Sequence, residues 1–127
     1  MSIHPVPCSG DDYFARHADP DTALALRLRT LSDYPPPGME VRAIERHIAL
    51  RGRRILELGC GDGRLTRQLA PVASEIVAIE PDRSKVATAR RLAASDGIDN
   101  VTFRVGSADR LRVRGRPFDV ALFSWSL

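Results

Sequence analysis

Three glycines in five positions, set between a short apolar run and an amphipathic one, constrain this chain more than any other feature. The run reads Ile55-Leu56-Glu57-Leu58-Gly59-Cys60-Gly61-Asp62-Gly63. Residues 55–58 have the composition of a strand, and 64–69 open a helix that Pro71 helps to end. A strand that enters a helix through glycines is a specific device. Glycine tolerates positive φ and lets another molecule approach the backbone without a Cβ in the way. The helix start offers N–H groups that lack intrahelical partners, which favour an anionic group.

The rest of the chain supplies the setting for this loop. Residues 75–79 and 101–105 read as strands, and 118–123 as a fourth. Between the first two lies a helix over 82–95, capped near Pro81-Asp82 and stopped at Gly97. Strand and helix therefore alternate from residue 54 onward. That pattern predicts βαβ units and a parallel sheet, a three-layer α/β fold in which the glycine loop lies at the carboxyl ends of the strands. Residues 1–50 read as a helical lead-in and possible lid, and 51–127 as the sheet domain. The lead-in begins as loop, with a short helix around 13–17. Asp21 then caps a helix through Leu31, with Leu24, Leu28 and Leu31 on one face. Tyr34-Pro35-Pro36-Pro37-Gly38 stops it, and a second helix over 40–50 carries Val41, Ile44 and Ile48 at helical spacing.

Composition excludes several classes. The 127 residues suffice for one domain of ordinary size. Nineteen basic residues face sixteen acidic ones, a formal charge of +3, and Lys85 is the only lysine. These charges are interspersed, so the excess argues neither for nucleic acid nor for an anionic membrane. The run 110–116 is alternating and basic but has no interleaved aromatics, and it reads as a solvated loop. No signal-peptide pattern opens the chain, and no apolar run approaches the roughly 20 residues of a membrane helix. Cys8 and Cys60 are too far apart for a disulfide framework or a metal knuckle, and His4, His17 and His47 lack ligand spacing. The expectation is a soluble, cytoplasmic protein with no metal.

The spacing in the loop separates ligand classes. A dinucleotide fingerprint starting at Gly59 requires glycine at position 64, which is Arg64; the third glycine comes one residue early. No Gly-Lys-Ser/Thr follows, so the Walker phosphate loop is absent too. Glu57 stands two residues before the first glycine. A carboxylate buried there needs a donor, and either the loop's own N–H groups or a ligand ammonium would serve. Glu80 ends the second strand, 21 residues after Gly59. An acid there accepts from ribose hydroxyls in nucleotide-binding folds or simply favours the next helix start.

Taken together, these residues resemble the class I S-adenosylmethionine-dependent methyltransferases, whose first motif is an apolar strand with an acid followed by G-x-G-x-G. The resemblance covers residues 51–127. It implies a Rossmann-like parallel sheet ordered 3-2-1-4-5-7-6, truncated here to about its first four strands. It further implies that Gly59, Gly61 and Gly63 meet the methionine end of S-adenosylmethionine, assisted by Glu57, with Cys60 as a small side chain between glycines. Glu80 takes the ribose and Pro81 walls the adenine. Ser107, Ala108 and Asp109 border the adenine, although Asp109 would also suit a plain turn or cap. Ser124, at the end of the fourth strand, falls beside the methionine half. Tyr13 and Phe14 would lid the cofactor or pack in the core.

In similar enzymes the acceptor-binding and base residues lie mostly beyond strand four. No catalytic residue is therefore assigned, and the 127-residue chain alone is expected to be impaired in methyl transfer. An open edge on strand four would favour self-association. The stretch Ser124-Trp125-Ser126-Leu127 stands where amino-methylating enzymes of DNA and RNA carry Asp/Asn-Pro-Pro-Tyr/Phe. That difference points to a small-molecule acceptor rather than nucleic acid. The rival readings are an aminopropyl transferase, a non-catalytic nucleotide-binding module and, disfavoured by Arg64, a nicotinamide dehydrogenase.

Overall fold

The computed structural model describes residues 35–124. The helices expected at 13–17 and 21–31, the pair Tyr13 and Phe14, and Trp125 to Leu127 lie outside them. The chain divides into two compact units, residues 1–40 and 41–127. Of the first, the described part is the proline-rich stop, where Pro36 O accepts from Met39 N at 3.1 Å as helix α1 (Met39–Glu45) begins.

The second unit is built on four parallel strands. In chain order its elements are β1 (Arg54–Leu58), α2 (Arg64–Leu69), β2 (Glu75–Glu80), α3 (Arg83–Ser95), β3 (Val101–Val105), a 3-10 turn (Ala108–Arg110) and β4 (Val120–Phe123). The sheet order is β3-β2-β1-β4, which agrees with the first four strands expected from the resemblance. Ile55 sits opposite Ile76 on one side and Val120 on the other, so β1 is central. All four strands run the same way, and their carboxyl ends share one edge.

Alternation along the strands sorts side chains onto two faces. Ile55, Ile76, Ala78 and Phe103 join Leu65 and Leu69 of α2 and Val86, Ala89 and Ala93 of α3 in the main core. Val41 and Leu50 belong to that core as well, so residues 41–50 pack with the sheet domain. Each fully buried side chain of this size stabilises by about 1.5–3 kcal/mol. Leu58, Val77 and Ile79 point to the opposite face, against Leu56, Leu111 and Phe118. Among the described residues that face carries no helix, so the third layer of the expected fold is not seen in this part of the chain. β4 pairs with β1 alone among them, and Phe123 is 58% exposed.

Two boundaries differ from expectation. The helix predicted over 40–50 ends at Glu45, because His47 N bonds back to Ile44 O and tightens the last turn. Ile48 is consequently exposed rather than on a buried stripe. β4 starts at Val120 instead of residue 118. Phe118 instead lies under the Arg54 guanidinium, 4.1 Å from its ring centre, and the Asp119 carboxylate accepts from Arg54 N at 2.8 Å. Arg54 also pairs with Glu75 at 2.8 Å, across to β2, and donates to Arg116 O, which helps anchor the 116–119 segment to the start of β1. The helix over 82–95 is capped as expected. Asp82 accepts from the Ser84 and Lys85 amides, and the hydrogen bonds from Ser84 hold its carboxyl below the usual carboxylate range.

Candidate functional site

The glycine loop rises from β1 and folds over the end of β2. Gly59 N and Cys60 N both donate to Ile79 O, at 2.8 and 3.1 Å, and Gly63 N closes a turn onto Cys60 O at 3.0 Å. Gly63 has φ +81, and a Cβ placed on it would lie 3.1 Å from both Ala89 Cβ and the Phe103 ring. The third glycine therefore lets α2 start in close contact with α3 and β3. Gly61 also has positive φ, +58, but a Cβ there would meet nothing within 4 Å. The crest of the loop faces open space.

Two buried carboxylates hold this loop from different sides. Glu57 has no exposed surface; Thr66 Oγ1 donates to its Oε2 at 2.5 Å and Ser124 Oγ to its Oε1 at 2.7 Å. It thus braces β1 against α2 and against the end of β4. Ser124 N reaches Leu58 O at 3.3 Å, which seats residue 124 beside the loop's first glycine. The two donors left open for Glu57 in the sequence were loop amides and a ligand; these two hydroxyls are a third source. Thr66 was missed altogether. Its signal was a small polar residue on the helix directly after the loop, between the apolar Leu65 and Leu69, where an acid on the strand beneath needs a partner.

Glu80, 8% exposed, lies across the loop from Glu57. Gly61 N donates to its Oε2 at 2.9 Å and Asp82 N to its Oε1 at 3.2 Å. Gly106 N bonds Glu80 O at 3.1 Å, which brings the segment after β3 to the same edge. There Ser107 Oγ donates to the Asp109 carboxylate, and Ala108 and Asp109 are exposed, as is Pro81. Asp109 stands 3.7 Å from Arg110, both in solvent, where such a pair contributes little. The parallel sheet therefore gathers Gly59, Gly61, Gly63, Glu80, Gly106–Asp109 and Ser124 at one edge, from four different strand ends. Among the described residues no group of three or more His, Cys, Asp or Glu could hold a metal, and no helix is long and apolar enough to cross a membrane.

Cys60 is buried within the loop. Burial above all, then the nearby charges of Glu57, Glu80 and Asp62, push its thiol up to about 12 from an ordinary 9.0. The thiol therefore stays protonated at neutral pH, which removes it as a nucleophile. Iodoacetamide at pH 8 is expected to leave Cys60 unlabelled in the folded chain and to label it in urea, read by mass spectrometry. Rapid labelling of the folded chain would show an accessible thiolate instead. Since the folded pKa exceeds the unfolded one, this group's contribution to stability is present below pH 9 and is lost as pH rises toward 12.

Comparison with known proteins agrees with this architecture. A ubiquinone biosynthesis O-methyltransferase of Azorhizobium caulinodans is 37% identical over 73 residues, covering 58% of this chain and 28% of that protein. The chain thus spans less than a third of the length of that relative. A protein-L-isoaspartate O-methyltransferase structure superposes with a TM-score of 0.61 at 26% identity, over 71% of this chain and 29% of the other. The tRNA (m1A58) methyltransferase TrmI of Aquifex aeolicus does so with a TM-score of 0.61 at 25% identity, over 68% of this chain and 36% of the other. Residues 55–127, from the first buried residue of β1 onward, match the family described as methyltransferase domain, and the chain belongs to that family.

Proposed function

We propose that this chain binds S-adenosylmethionine at the carboxyl edge of its sheet, for methyl transfer to a small-molecule acceptor. The observation that carries the reading is the meeting of Gly61 and Glu80 at 2.9 Å, which joins a glycine loop to a carboxylate in one site. The residues fit the ligand. A carboxylate offers about four acceptor positions, and the two amides on Glu80 leave one on each oxygen for a ribose diol. The open crest at Gly61 admits the methionine end without a Cβ in the way. Pro81, Ser107, Ala108 and Asp109 would border the adenine, with Cys60 a small neutral filler. Ser124 would flank the methionine half, oriented by Glu57, which acts through Ser124 and the loop since its own surface is closed.

When bound, S-adenosylmethionine supplies a methyl group on a cationic sulfonium, from which a neutral thioether leaves. The chain's own contribution is to bind and orient. The relatives named as ubiquinone biosynthesis O-methyltransferases support a small acceptor attacking through oxygen, and the sequence 124–127, which differs from Asp/Asn-Pro-Pro-Tyr/Phe, disfavours a nucleic-acid amine.

Calorimetry on the 127-residue chain with S-adenosylhomocysteine, S-adenosylmethionine and NAD tests the reading. Both adenosyl compounds are expected to bind and NAD to give no heat. NAD binding with no response to S-adenosylhomocysteine would overturn it.

A further inference from the structure

We infer that Glu80 is also the latch of the glycine loop, setting the shape of its crest before any ligand arrives. The inference rests on the reading above and deepens it. The root of the loop is held by Ile79 O, which accepts from Gly59 and Cys60, and its end by Gly63 packed against Ala89 and Phe103. The crest at Gly61 has neither support, since no atom lies within 4 Å of its Cβ position. What reaches it, among the described residues, is the Glu80 carboxylate on Gly61 N at 2.9 Å and a weak thiol contact from Cys60 to Gly61 O at 3.7 Å. Glu80 is itself fixed. Its other oxygen accepts from Asp82 N, its carbonyl accepts from Gly106 N, and the residue is buried to 8% exposure.

A glycine at positive φ with no side chain to pack loses more freedom on ordering than any other residue. A loop crest left to itself would sample many shapes, and a ligand would have to order it on binding. With Glu80 in place the ordering is done in advance. The same carboxylate that meets a ribose therefore also prepares the loop for the amino-acid end of the ligand. Glu80 is a positioning residue for a part of the ligand it does not touch.

The test separates the two roles with a ligand that lacks the ribose hydroxyls. Wild type, Glu80→Ala, Glu80→Asp and Glu80→Gln are titrated with S-adenosylhomocysteine and with its 2′,3′-dideoxy analogue, with thermal melts confirming the fold. A latch predicts that Glu80→Ala weakens the dideoxy analogue by about tenfold, the scale of one lost hydrogen bond to a charged group. Glu80→Asp, one methylene short of Gly61, should do the same with its charge retained, and it carries the comparison if the alanine variant fails to fold. Glu80→Gln can keep its one oxygen on Gly61 N only by turning its NH2 toward Asp82 N, so its dideoxy affinity should fall between those of wild type and the alanine variant, with affinity for S-adenosylhomocysteine lost as well. Unchanged dideoxy affinity in both the alanine and aspartate variants would overturn the latch and leave the ribose role standing. A wild-type chain that binds neither ligand would overturn the functional reading and the latch with it.

Discussion

Gly63→Ala is expected to lower the unfolding free energy by about 2–5 kcal/mol, and Gly61→Ala by about 1–2 kcal/mol. Both positions have positive φ, so both carry the strain of an L side chain in the left-handed region. They differ in what surrounds them. A methyl on Gly63 would press on Ala89 and the Phe103 ring at 3.1 Å, and Phe103 is only 5% exposed, so it has little room to move. Overpacking of that kind costs about 1–3 kcal/mol beyond the backbone strain. A methyl on Gly61 enters open space and should instead reduce ligand affinity. Urea denaturation of the two variants checks the contrast, and equal losses of stability would show that Gly63 is not a packing glycine.

Glu57→Ala is expected to cost about 3–5 kcal/mol, combining the cavity left by a buried side chain with the stranding of the buried Thr66 hydroxyl that had been donating to it. Thr66→Val nearly conserves shape and removes a single donor, and it should cost about 1–3 kcal/mol, the penalty for leaving a buried acceptor short of a partner. Both residues are fully buried, so solvent cannot compensate. The second variant is the sharper test. If Thr66→Val unfolds at the same urea concentration as wild type, then the 2.5 Å contact to Glu57 contributes nothing and the brace between β1 and α2 is not what holds the loop.

Much of the framework was legible because its signals are local. The β3 strand at 101–105, the short helix 64–69 and the Asp82 cap each depend on residues within a few positions, where periodicity and side-chain-to-backbone hydrogen bonds act directly. The expectations that missed turned on a distant contact in one case and on where a helix closes in the other. Phe118 has the composition of a strand residue but is taken by Arg54, 64 residues earlier, so β4 begins later than its sequence suggests. Ile48 has helical spacing from Ile44, yet the helix closes just before it, with His47 N on Ile44 O, and the side chain is left 43% exposed.

The site divides along the same line. That Gly59, Gly61 and Gly63 would turn at positive φ between a strand and a helix, and that an acid would end β2, follows from the residues themselves, because a glycine's backbone freedom and a strand's alternation need no partner. That Glu57 would join Thr66 to Ser124, 67 residues downstream of it, and that Glu80 would hold Gly61, depended on β1 lying between β2 and β4. Strand order is settled by which apolar faces can be buried together, a property of the whole chain. No local pattern states it, so only the tertiary structure could turn two acids in a sequence into the two supports of one loop.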